Sequence, residues 1–422
     1  MKIITNKKIA VLGAGITGKA MADWFLENKN QVYIFDDTYN HNISEYILNH
    51  RYKNNLTFMA FLKYPLNFDF FDVVVLSPSF KLDKDYIISN NNYNNFYTEL
   101  DYFYPFIKNK EIFSVTGTNG KTSTVKLFAK LLEDFGKKVF LGGNIGIPIV
   151  NCLKGNYDSV VLELSSFQLF YTKNFRTDYS ILLNLSPDHL KWHKDFEEYA
   201  DTKLKLIGFT DKVSYVHSDF RRFLKMEMNK TLFDINTNIK INKNKIDKDK
   251  LVFFVNFIPI IQIMLDLGMS EERIISSINN IKWVKYRLSE KKVGNNLFIN
   301  DSKSTNIDST VFAVSNYNNS ILILGGDDKM LDYSVFTERF KDKSISEIIV
   351  FGGLRKKLYK ILKNHYKVNG FNNLREVFVY LKNKNIKNEN ILFSPSSSSF
   401  DLYVNYVKRG EDFDLLVGEF FG

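Results

Sequence analysis

The sequence predicts an α/β protein with three domains, and three observations support that prediction. Its 422 residues correspond to roughly three domains of about 150 residues each. Short apolar strands alternate with helical stretches along the chain, a pattern typical of parallel sheets. Hydrophobic residues make up 45% of the chain and charged residues 25%, a composition that builds a core and excludes disordered and fibrous classes.

The balance of charge is that of a basic protein. Its 57 lysine and arginine residues exceed its 47 aspartate and glutamate residues, for a net charge of +10. The lysines are spread along the chain and never cluster with aromatic residues, so we expect a basic surface and no nucleic-acid partner. One cysteine, Cys152, excludes an intramolecular disulfide and a cysteine-rich metal site.

Neither a membrane span nor a cleavable signal is evident. A span needs about 18 consecutive apolar residues. The nearest candidate, Leu251–Leu265, is shorter and contains Asn256 and Pro259, so it predicts a buried helix. The first eight residues hold three lysines and lead into a glycine turn. We therefore expect a cytoplasmic protein that does not bind membranes.

The first hundred residues follow a strand–helix pattern. Strands are predicted at Ile9–Leu12, Val32–Phe35 and Val73–Leu76, and a helix at Lys19–Asn28. The Asn-rich stretch Ser89–Asn95 lacks periodicity and predicts a loop near the first domain boundary.

A glycine fingerprint follows the first strand. Gly13, Gly15 and Gly18 fit the pattern Gly-x-Gly-x-x-Gly, and Asp36 follows the next strand, 18 residues beyond Gly18. Such a turn presents backbone N–H groups at a helix N-terminus to a diphosphate. Alone, it indicates a dinucleotide-binding fold and an NAD(P)-binding oxidoreductase, but it does not specify which diphosphate binds.

A second strand–turn–helix, Ile112–Thr124, predicts a phosphate-binding loop. Gly117 and Gly120 allow backbone N–H groups to approach phosphate oxygens. Lys121 can neutralise charge, and the Thr122 hydroxyl can ligate Mg²⁺. This central series continues with strands at 160–164 and 179–185.

Three downstream residues are candidates for a metal site beside that loop. Glu163 stands at a strand end, where a carboxylate is a hard oxygen ligand for Mg²⁺. His189 follows another strand, and Lys203 lies in a helical stretch. Each alone is ordinary, since a lone histidine is more often structural and a helical lysine more often solvated. Their combination with the loop favours a common site.

The remainder contains a polar stretch and a third α/β series. Between Asp211 and Lys250 the chain becomes rich in lysine and asparagine, which predicts a solvated loop or a poorly ordered insertion. Further strands are predicted at Leu297–Asn300, Ile321–Leu324, Glu347–Phe351 and Asn390–Phe393.

Taken in order, these motifs resemble those of the Mur ligases, the ATP-dependent amide-forming enzymes of peptidoglycan precursor synthesis. They read TGTNGKT, LELSSFQL, NLSPDHL with a downstream Tyr-x-x-x-Lys, and NDSKSTN. Val115, where an ordinary P-loop has its first glycine, agrees with the shorter spacing of this family. The resemblance implies an N-terminal Rossmann-like domain at 1–99, a central P-loop-type mononucleotide-binding domain at 100–283 and a C-terminal Rossmann-like domain at 284–422.

The C-terminal segment Leu392–Phe413 resembles the members of the family that add D-glutamate. This implies UDP-MurNAc-L-Ala and D-glutamate as substrates, and a monomer that uses ATP with two Mg²⁺ ions. It also implies that the glycine fingerprint holds the diphosphate of a UDP-sugar.

The resemblance assigns roles residue by residue. For ATP binding it implies Gly117, Thr118, Asn119, Gly120, Lys121, Thr122, Ser123, Asn256, Arg287 and Asp301. The implied metal ligands are Thr122, Glu163, His189 and Lys203, the last converted by CO₂ to a carbamate. The implied catalytic residues are Lys121, Glu163, His189, Lys203 and Lys303. Substrate contacts are implied for Gly15, Ile16, Thr17, Asp36, Ser77, Asn144, Thr305, Ser399 and Tyr406.

Some positions depart from the family pattern. Ser79 replaces a common glycine in a substrate loop, and Phe253 replaces an asparagine three residues before Asn256. The polar stretch 211–250 is short, so the central domain is expected to lack a strand or two.

These observations predict an amide ligase in which a carboxylate attacks the γ-phosphate of ATP, and an amine then attacks the acyl phosphate. Another Mur ligase or a folylpolyglutamate synthase is the nearest alternative. An NAD(P)-binding oxidoreductase or a catalytically silent nucleotide-binding scaffold would leave the central motifs unexplained.

Overall fold

The computed structural model describes residues 3–37, 41–60, 68–82, 95–224, 230–234, 236–281 and 285–422. The chain forms two compact units. The first contains residues 1–185 and 195–281, and the second contains residues 186–194 and 282–422. The predicted loop at Ser89–Asn95 lies, apart from Asn95, outside the described residues.

The first unit begins with a parallel sheet of five described strands. Strands β1 to β5 span Lys8–Leu12, Gln31–Asp36, Leu56–Ala60, Val73–Leu76 and Phe96–Thr98. Helices α1 and α2 span Ile16–Glu27 and His41–Asn49. The strand order is β3-β2-β1-β4-β5, and every pairing is parallel. The carboxyl ends of β1, β2 and β4 therefore lie at one edge of the sheet.

Gly18, the third glycine of the fingerprint, lets α1 pack closely against the turn that follows β1. A Cβ atom at Gly18 would lie 1.8 Å from the carbonyl oxygen of Gly13, whereas one at Gly15 would meet nothing within 4 Å. We expect Gly18→Ala to lower the free energy of unfolding by about 2–3 kcal/mol. The control, Gly15→Ala, should change it by about 0.5 kcal/mol or less. Urea unfolding of both variants measures the difference, and equal losses would contradict this packing.

A second parallel sheet completes the first unit. Strands β6 to β11 span Glu111–Thr116, Val139–Gly143, Ser159–Glu163, Thr177–Leu182, Thr210–His217 and Lys230–Phe233. Helices α3 to α9 span Glu99–Ile107, Lys121–Asp134, Ser166–Phe170, Phe196–Gly208, Lys248–Leu251, Phe254–Asp266 and Glu271–Asn280. The order β11-β10-β9-β6-β8-β7 places β6 between β9 and β8.

The polar stretch after residue 210 is only in part the predicted loop, since it contains most of β10 and all of β11. Along β10, Ser214, Tyr215 and Val216 are buried. The Ser214 hydroxyl accepts a hydrogen bond from Ser180 on β9 at 2.9 Å. Because that buried hydroxyl has a partner, a strand with few apolar residues is tolerated here.

The apolar stretch at Leu251–Leu265 folds as predicted into a buried helix, α8, after the short α7. Phe257, Ile260 and Ile261 are fully buried. Over the part of the chain that is described, no helix combines the length and apolar character needed to span a membrane.

The third sheet forms the second unit. Strands β12 to β17 span Ser289–Val293, Asn296–Asn300, Ser320–Gly325, Ile345–Phe351, Val368–Phe371 and Asn390–Ser396. Helices α10 to α14 span Ile307–Asn316, Val335–Arg339, Arg355–Leu362, Leu374–Asn383 and Tyr406–Phe421. The order is β12-β13-β17-β14-β15-β16, and β12 alone pairs antiparallel among these described strands. Three mainly parallel sheets confirm the predicted α/β class.

Candidate active site

The turn between β6 and α4 has the backbone of a phosphate-binding loop. Gly117 and Gly120 adopt φ angles of +145° and +84°, in the region that favours glycine. Lys121 is the first residue of α4, so the helix N-terminus opens into this turn. A Cβ atom at Gly120 would lie 2.6 Å from the side-chain nitrogen of Asn256. The structure thus brings Asn256, on α8, against the loop.

Asn184, a residue that the sequence analysis did not single out, braces the loop. Its side-chain oxygen accepts from the backbone N–H of Asn119 at 2.7 Å, and its side-chain nitrogen donates to the Asn119 carbonyl at 3.0 Å. The Thr118 N–H donates to the Asn184 carbonyl, also at 3.0 Å. This bracing fixes the conformation of the turn before any phosphate binds.

The Lys121 side chain folds over its own loop. Its Nζ donates to the carbonyl oxygens of Gly117 and Thr118, each at 2.9 Å. The ammonium group therefore lies where backbone N–H groups and a helix N-terminus already favour an anion. Ser123, the third residue of α4, is buried.

A buried carboxylate lies beside the loop. Glu163 is 2% exposed at the end of β8, next to β6. One of its oxygens accepts from the Thr122 hydroxyl at 2.7 Å, and the other accepts from the Asn144 side-chain amide at 2.8 Å. Hydroxyl and carboxylate oxygens are ligands that Mg²⁺ prefers, usually with phosphates and water completing its coordination. The pair Thr122–Glu163 therefore fits a magnesium ion that is shared with a nucleotide.

Carboxylates and histidines do not form a larger cluster here. Within the described ranges, no group of three or more His, Cys, Asp or Glu side chains is arranged to hold a metal ion. A metal ion at Thr122 and Glu163 would complete its coordination with phosphate oxygens, water or a modified residue.

Lys203 lies beneath the same loop. It is 1% exposed on α6, and its Nζ donates to the Gly117 carbonyl at 2.9 Å. The ring of Tyr199 lies 4.6 Å from this Nζ, and the Tyr199 hydroxyl is 3.1 Å from the Thr118 hydroxyl. Lys121 and Lys203 thus share one acceptor, which keeps their two ammonium groups within about 6 Å of each other.

His189 falls in the second compact unit. Its φ angle is +56°, and its side chain is 41% exposed. Its Nε2 lies 3.6 Å from the carboxylate of Asp188, which also pairs with Lys329 at 3.3 Å. The grouping of His189 with Glu163 stays a prediction.

In the second unit, Asp301 is a buried carboxylate at the end of β13. It is 1% exposed and accepts from the hydroxyl groups of Ser304 and Ser394. Burial raises the pKa of Asp301 to about 6, although the charge of Arg287 and these hydrogen bonds oppose the rise. Arg287 and Asp301, predicted to bind ATP, are therefore close enough to interact.

The raised pKa of Asp301 predicts how stability depends on pH. Its folded value exceeds the ordinary 3.8, so the folded chain keeps this proton longer than the unfolded chain, and stability falls as pH rises through about 6. Between pH 5 and 7 the wild type should lose about 1 kcal/mol more than Asp301→Asn. Urea unfolding at both pH values measures this. An identical loss in the two proteins would contradict the shift.

The other candidates of the second unit surround the same strand ends. The Nζ of Lys303 lies 4.0 Å from the ring centre of Tyr406. Ser399 is buried, and Thr305 is half-buried just before α10.

Arg409, which the sequence analysis did not single out, organises these loops. It is fully buried on α14 and donates to the hydroxyl and carbonyl of Ser302 at 3.1 and 2.9 Å. It also donates to the carbonyl of Ser398 at 3.1 Å. One guanidinium group therefore links the loop before Lys303 to the loop before Ser399.

The candidates of the first sheet lie at the carboxyl ends of its strands. Gly15 caps α1, and Ile16 and Thr17 form its first turn. The Asp36 carboxylate accepts from the backbone N–H of Ala14 at 2.6 Å. The backbone N–H of Ser77 donates to the carbonyl of Leu12, which places Ser77 beside the glycine turn. These residues thus come together, while their contacts with substrate stay predictions.

Comparison with known proteins finds similar sequences over nearly the whole chain. Residues 115–267 match the model of the Mur ligase middle domain. The chain is 34% identical to the UDP-N-acetylmuramoylalanine–D-glutamate ligase of Petrotoga mobilis, over 97% of this chain and 99% of that protein. It is 30% identical to the protein of that name from Francisella tularensis, over 98% of this chain and 96% of that protein.

Two solved structures show the same fold. UDP-N-acetylmuramate-alanine ligase MurC from Thermotoga maritima matches with a TM-score of 0.56 and 20% identity, over 98% of this chain and 99% of that one. MurF ligase from the same organism, in complex with ADP, matches with a TM-score of 0.59 and 15% identity, over 99% and 95% of the two chains. The predicted fold class is confirmed.

Proposed function

This chain belongs to the Mur ligase family, among the UDP-N-acetylmuramoylalanine–D-glutamate ligases, and we propose that it joins D-glutamate to UDP-MurNAc-L-Ala through an acyl phosphate. It is an ATP-dependent ligase that forms a carbon–nitrogen bond. The similarity extends over nearly the whole chain, which sets aside an NAD(P)-binding oxidoreductase built on the first sheet alone.

One observation carries the proposal: the β6–α4 loop with Lys121 lies directly beside the Thr122–Glu163–Asn144 hydrogen-bond chain. Phosphoryl transfer depends mainly on positioning and on stabilising negative charge. The loop supplies backbone N–H groups and an ammonium group, and Glu163 would supply oxygen ligands to a magnesium ion bound with the phosphates. These are the groups that a bound triphosphate needs.

The reaction follows from the energetics of amide formation. A carboxylate must be activated before an amine can displace one of its oxygens in water. An oxygen of the L-alanyl carboxylate attacks the γ-phosphorus of ATP, the bond to the β-phosphate oxygen breaks, and ADP leaves. The D-glutamate amine then attacks the acyl carbon and loses a proton, and phosphate leaves with the former carboxylate oxygen.

Different residues of this chain are proposed to bind different parts of the substrates. Lys121, Arg287 and Lys303 supply positive charge to the phosphate groups. Asn256 and Asp301 are proposed to contact the nucleoside, and Thr305, Ser399 and Tyr406 to contact D-glutamate. Gly15, Ile16, Thr17, Asp36 and Ser77 are proposed to hold the UDP portion of the sugar nucleotide.

Two Mg²⁺ ions are proposed as cofactors. Thr122 and Glu163 would hold one, and Glu163, His189 and a modified Lys203 would serve the other. When bound, the ions would neutralise the charge of the phosphate oxygens. The hydrogen-bonded oxygen pair of Thr122 and Glu163 is the feature of the described residues that supports this proposal.

Lys203 is proposed to react with CO₂. The neutral Nζ amine would attack the carbon of CO₂, form a carbon–nitrogen bond and release one proton, leaving a carbamate anion. The unmodified side chain places a second ammonium group beside Lys121 on the Gly117 carbonyl. The two ammonium groups repel each other, whereas a carbamate anion at Lys203 would attract the ammonium group of Lys121. This difference supports the modification.

The oligomeric state, cellular location and domain bounds are also proposals. We propose that the protein acts as a monomer in the cytoplasm, with domains at 1–99, 100–283 and 284–422. Neither nucleic acid nor membrane is a proposed partner.

A phosphate-release assay tests the proposed function. The protein is incubated with ATP, Mg²⁺ and UDP-MurNAc-L-Ala, with D-glutamate, with L-glutamate, or with neither. We expect release that depends on D-glutamate. Release that no amino acid stimulates would refute the amide ligase, and release with L-glutamate alone would refute the assigned stereochemistry.

A further inference from the structure

We propose that Glu99 is a positioning residue, which ties the junction after the first sheet to the loop that orients Glu163. The inference rests on the proposed function for its catalytic consequence. Glu99 is the first residue of α3 and follows β5 directly. It is 2% exposed, so this carboxyl group is enclosed at the junction of the two sheets of the first unit.

Glu99 holds the start of a short 3₁₀ helix, Ile149–Lys154. One carboxyl oxygen of Glu99 accepts from the backbone N–H of Ile149 at 2.6 Å and lies 3.4 Å from that of Val150. These N–H groups have no partner within their own helix, because they lie in its first turn. Glu99 therefore fixes the end of the segment that precedes this helix.

That preceding segment carries Asn144. The N–H of Gly143 donates to the Ile147 carbonyl at 2.7 Å, which closes the segment into a turn. The backbone N–H of Asn144 donates to the Glu163 carbonyl, and its side chain donates to the Glu163 carboxylate, both at 2.8 Å. The turn is thus held at one end by Glu99 and binds Glu163 at the other.

The α3 side of this connection is itself immobilised. The Asp101 carboxylate accepts from the backbone N–H groups of Lys173, Asn174 and Phe175, at 2.7 to 3.1 Å. Thr98, which caps α3, has its hydroxyl 3.0 Å from that of Thr172. The start of α3 is therefore a fixed anchor for the turn.

The second oxygen of Glu99 is buried near residues that are proposed to bind substrate. Within the described part of the chain this buried oxygen has no hydrogen-bond partner. Glu99 lines a small cavity together with Ser77, Thr98 and Gln168. Ser77 is a proposed contact for the sugar nucleotide, so Glu99 borders the same cavity as that loop and also binds the segment that follows the turn of Asn144.

Hydrogen exchange tests the positioning role directly. In Glu99→Ala we expect the amides of residues 143–150 to exchange about 10-fold faster or more, because the turn loses its anchor. Glu99→Gln keeps an acceptor for Ile149 and should exchange like the wild type. Ile107→Ala is the matched control, since it removes a fully buried side chain from the opposite end of the same helix. Exchange of residues 143–150 that is accelerated as much in Ile107→Ala as in Glu99→Ala, or that is unchanged in Glu99→Ala, would overturn the proposal.

Activity provides the second readout. The Mg²⁺ concentration for half-maximal phosphate release should rise about 10-fold in Glu99→Ala, while the KM for D-glutamate stays within about 2-fold. An equal rise in the half-maximal Mg²⁺ concentration and in the KM for D-glutamate would indicate general damage to the fold. It would refute the positioning role of Glu99. If Glu99→Ala does not fold, Ile149→Pro deletes the N–H donor at a helix position that tolerates proline, and the same outcomes apply. Should wild type lack activity, the proposed function fails while the exchange contrast still decides the positioning role.

Discussion

Lys121→Ala is expected to lower kcat for D-glutamate-dependent phosphate release by about 1,000-fold. The ammonium group of Lys121 lies over the phosphate-binding loop, against the carbonyl oxygens of Gly117 and Thr118. The transferring phosphoryl group would lose the positive charge of this lysine. Because the backbone N–H groups of the loop remain, nucleotide binding should weaken less than turnover.

The matched control for this prediction lies on the same helix. Lys126 is exposed on α4, five residues beyond Lys121, so Lys126→Ala removes an equal charge away from the loop. It should retain wild-type kcat. Steady-state kinetics and calorimetric ADP titration of both variants separate turnover from binding. Comparable kcat in Lys121→Ala and wild type would remove this lysine from the phosphate chemistry.

Lys203→Ala is expected to lower kcat about 100- to 1,000-fold, with partial recovery when a small carboxylic acid is added. The buried position of Lys203 beside Gly117 leaves a space that acetate or formate can enter after truncation. The added carboxylate would replace the anion that a carbamate provides.

Lys203→Arg is the control that tests whether position 203 must carry a negative or a positive charge. It keeps positive charge but cannot form this carbamate, so it should be inactive and should not recover with acetate. Phosphate release is measured across an acetate titration, with sodium chloride at matched ionic strength. Wild-type activity of Lys203→Arg, or of Lys203→Ala without acid, would contradict the carbamate.

The sequence was informative where one local signal specified the structure. Both glycine turns were predictable from an apolar strand followed by glycines. A side chain at Gly18 would meet the Gly13 carbonyl, and one at Gly120 would meet Asn256, so these positions favour glycine. The strand at 297–300 was also predictable, because a short apolar run in a parallel sheet is buried on both faces.

Features set by distant residues could not be predicted in this way. β10 is polar, and its place in the sheet depends on pairing with β9 and on the Ser180–Ser214 hydrogen bond. Asn184 and Arg409 have no motif spacing, because they act on backbone groups far away in sequence. Glu99 resembles an ordinary helix-start carboxylate until its contact with Ile149 is seen.

Oxygen transfer tests the central claim most directly. UDP-MurNAc-L-Ala with ¹⁸O in its alanyl carboxylate is converted with ATP and D-glutamate, and the released phosphate is analysed by mass spectrometry. Activation as an acyl phosphate predicts one ¹⁸O atom in each phosphate formed from fully labelled substrate. Phosphate without ¹⁸O, formed together with the amide product, would contradict the proposed route.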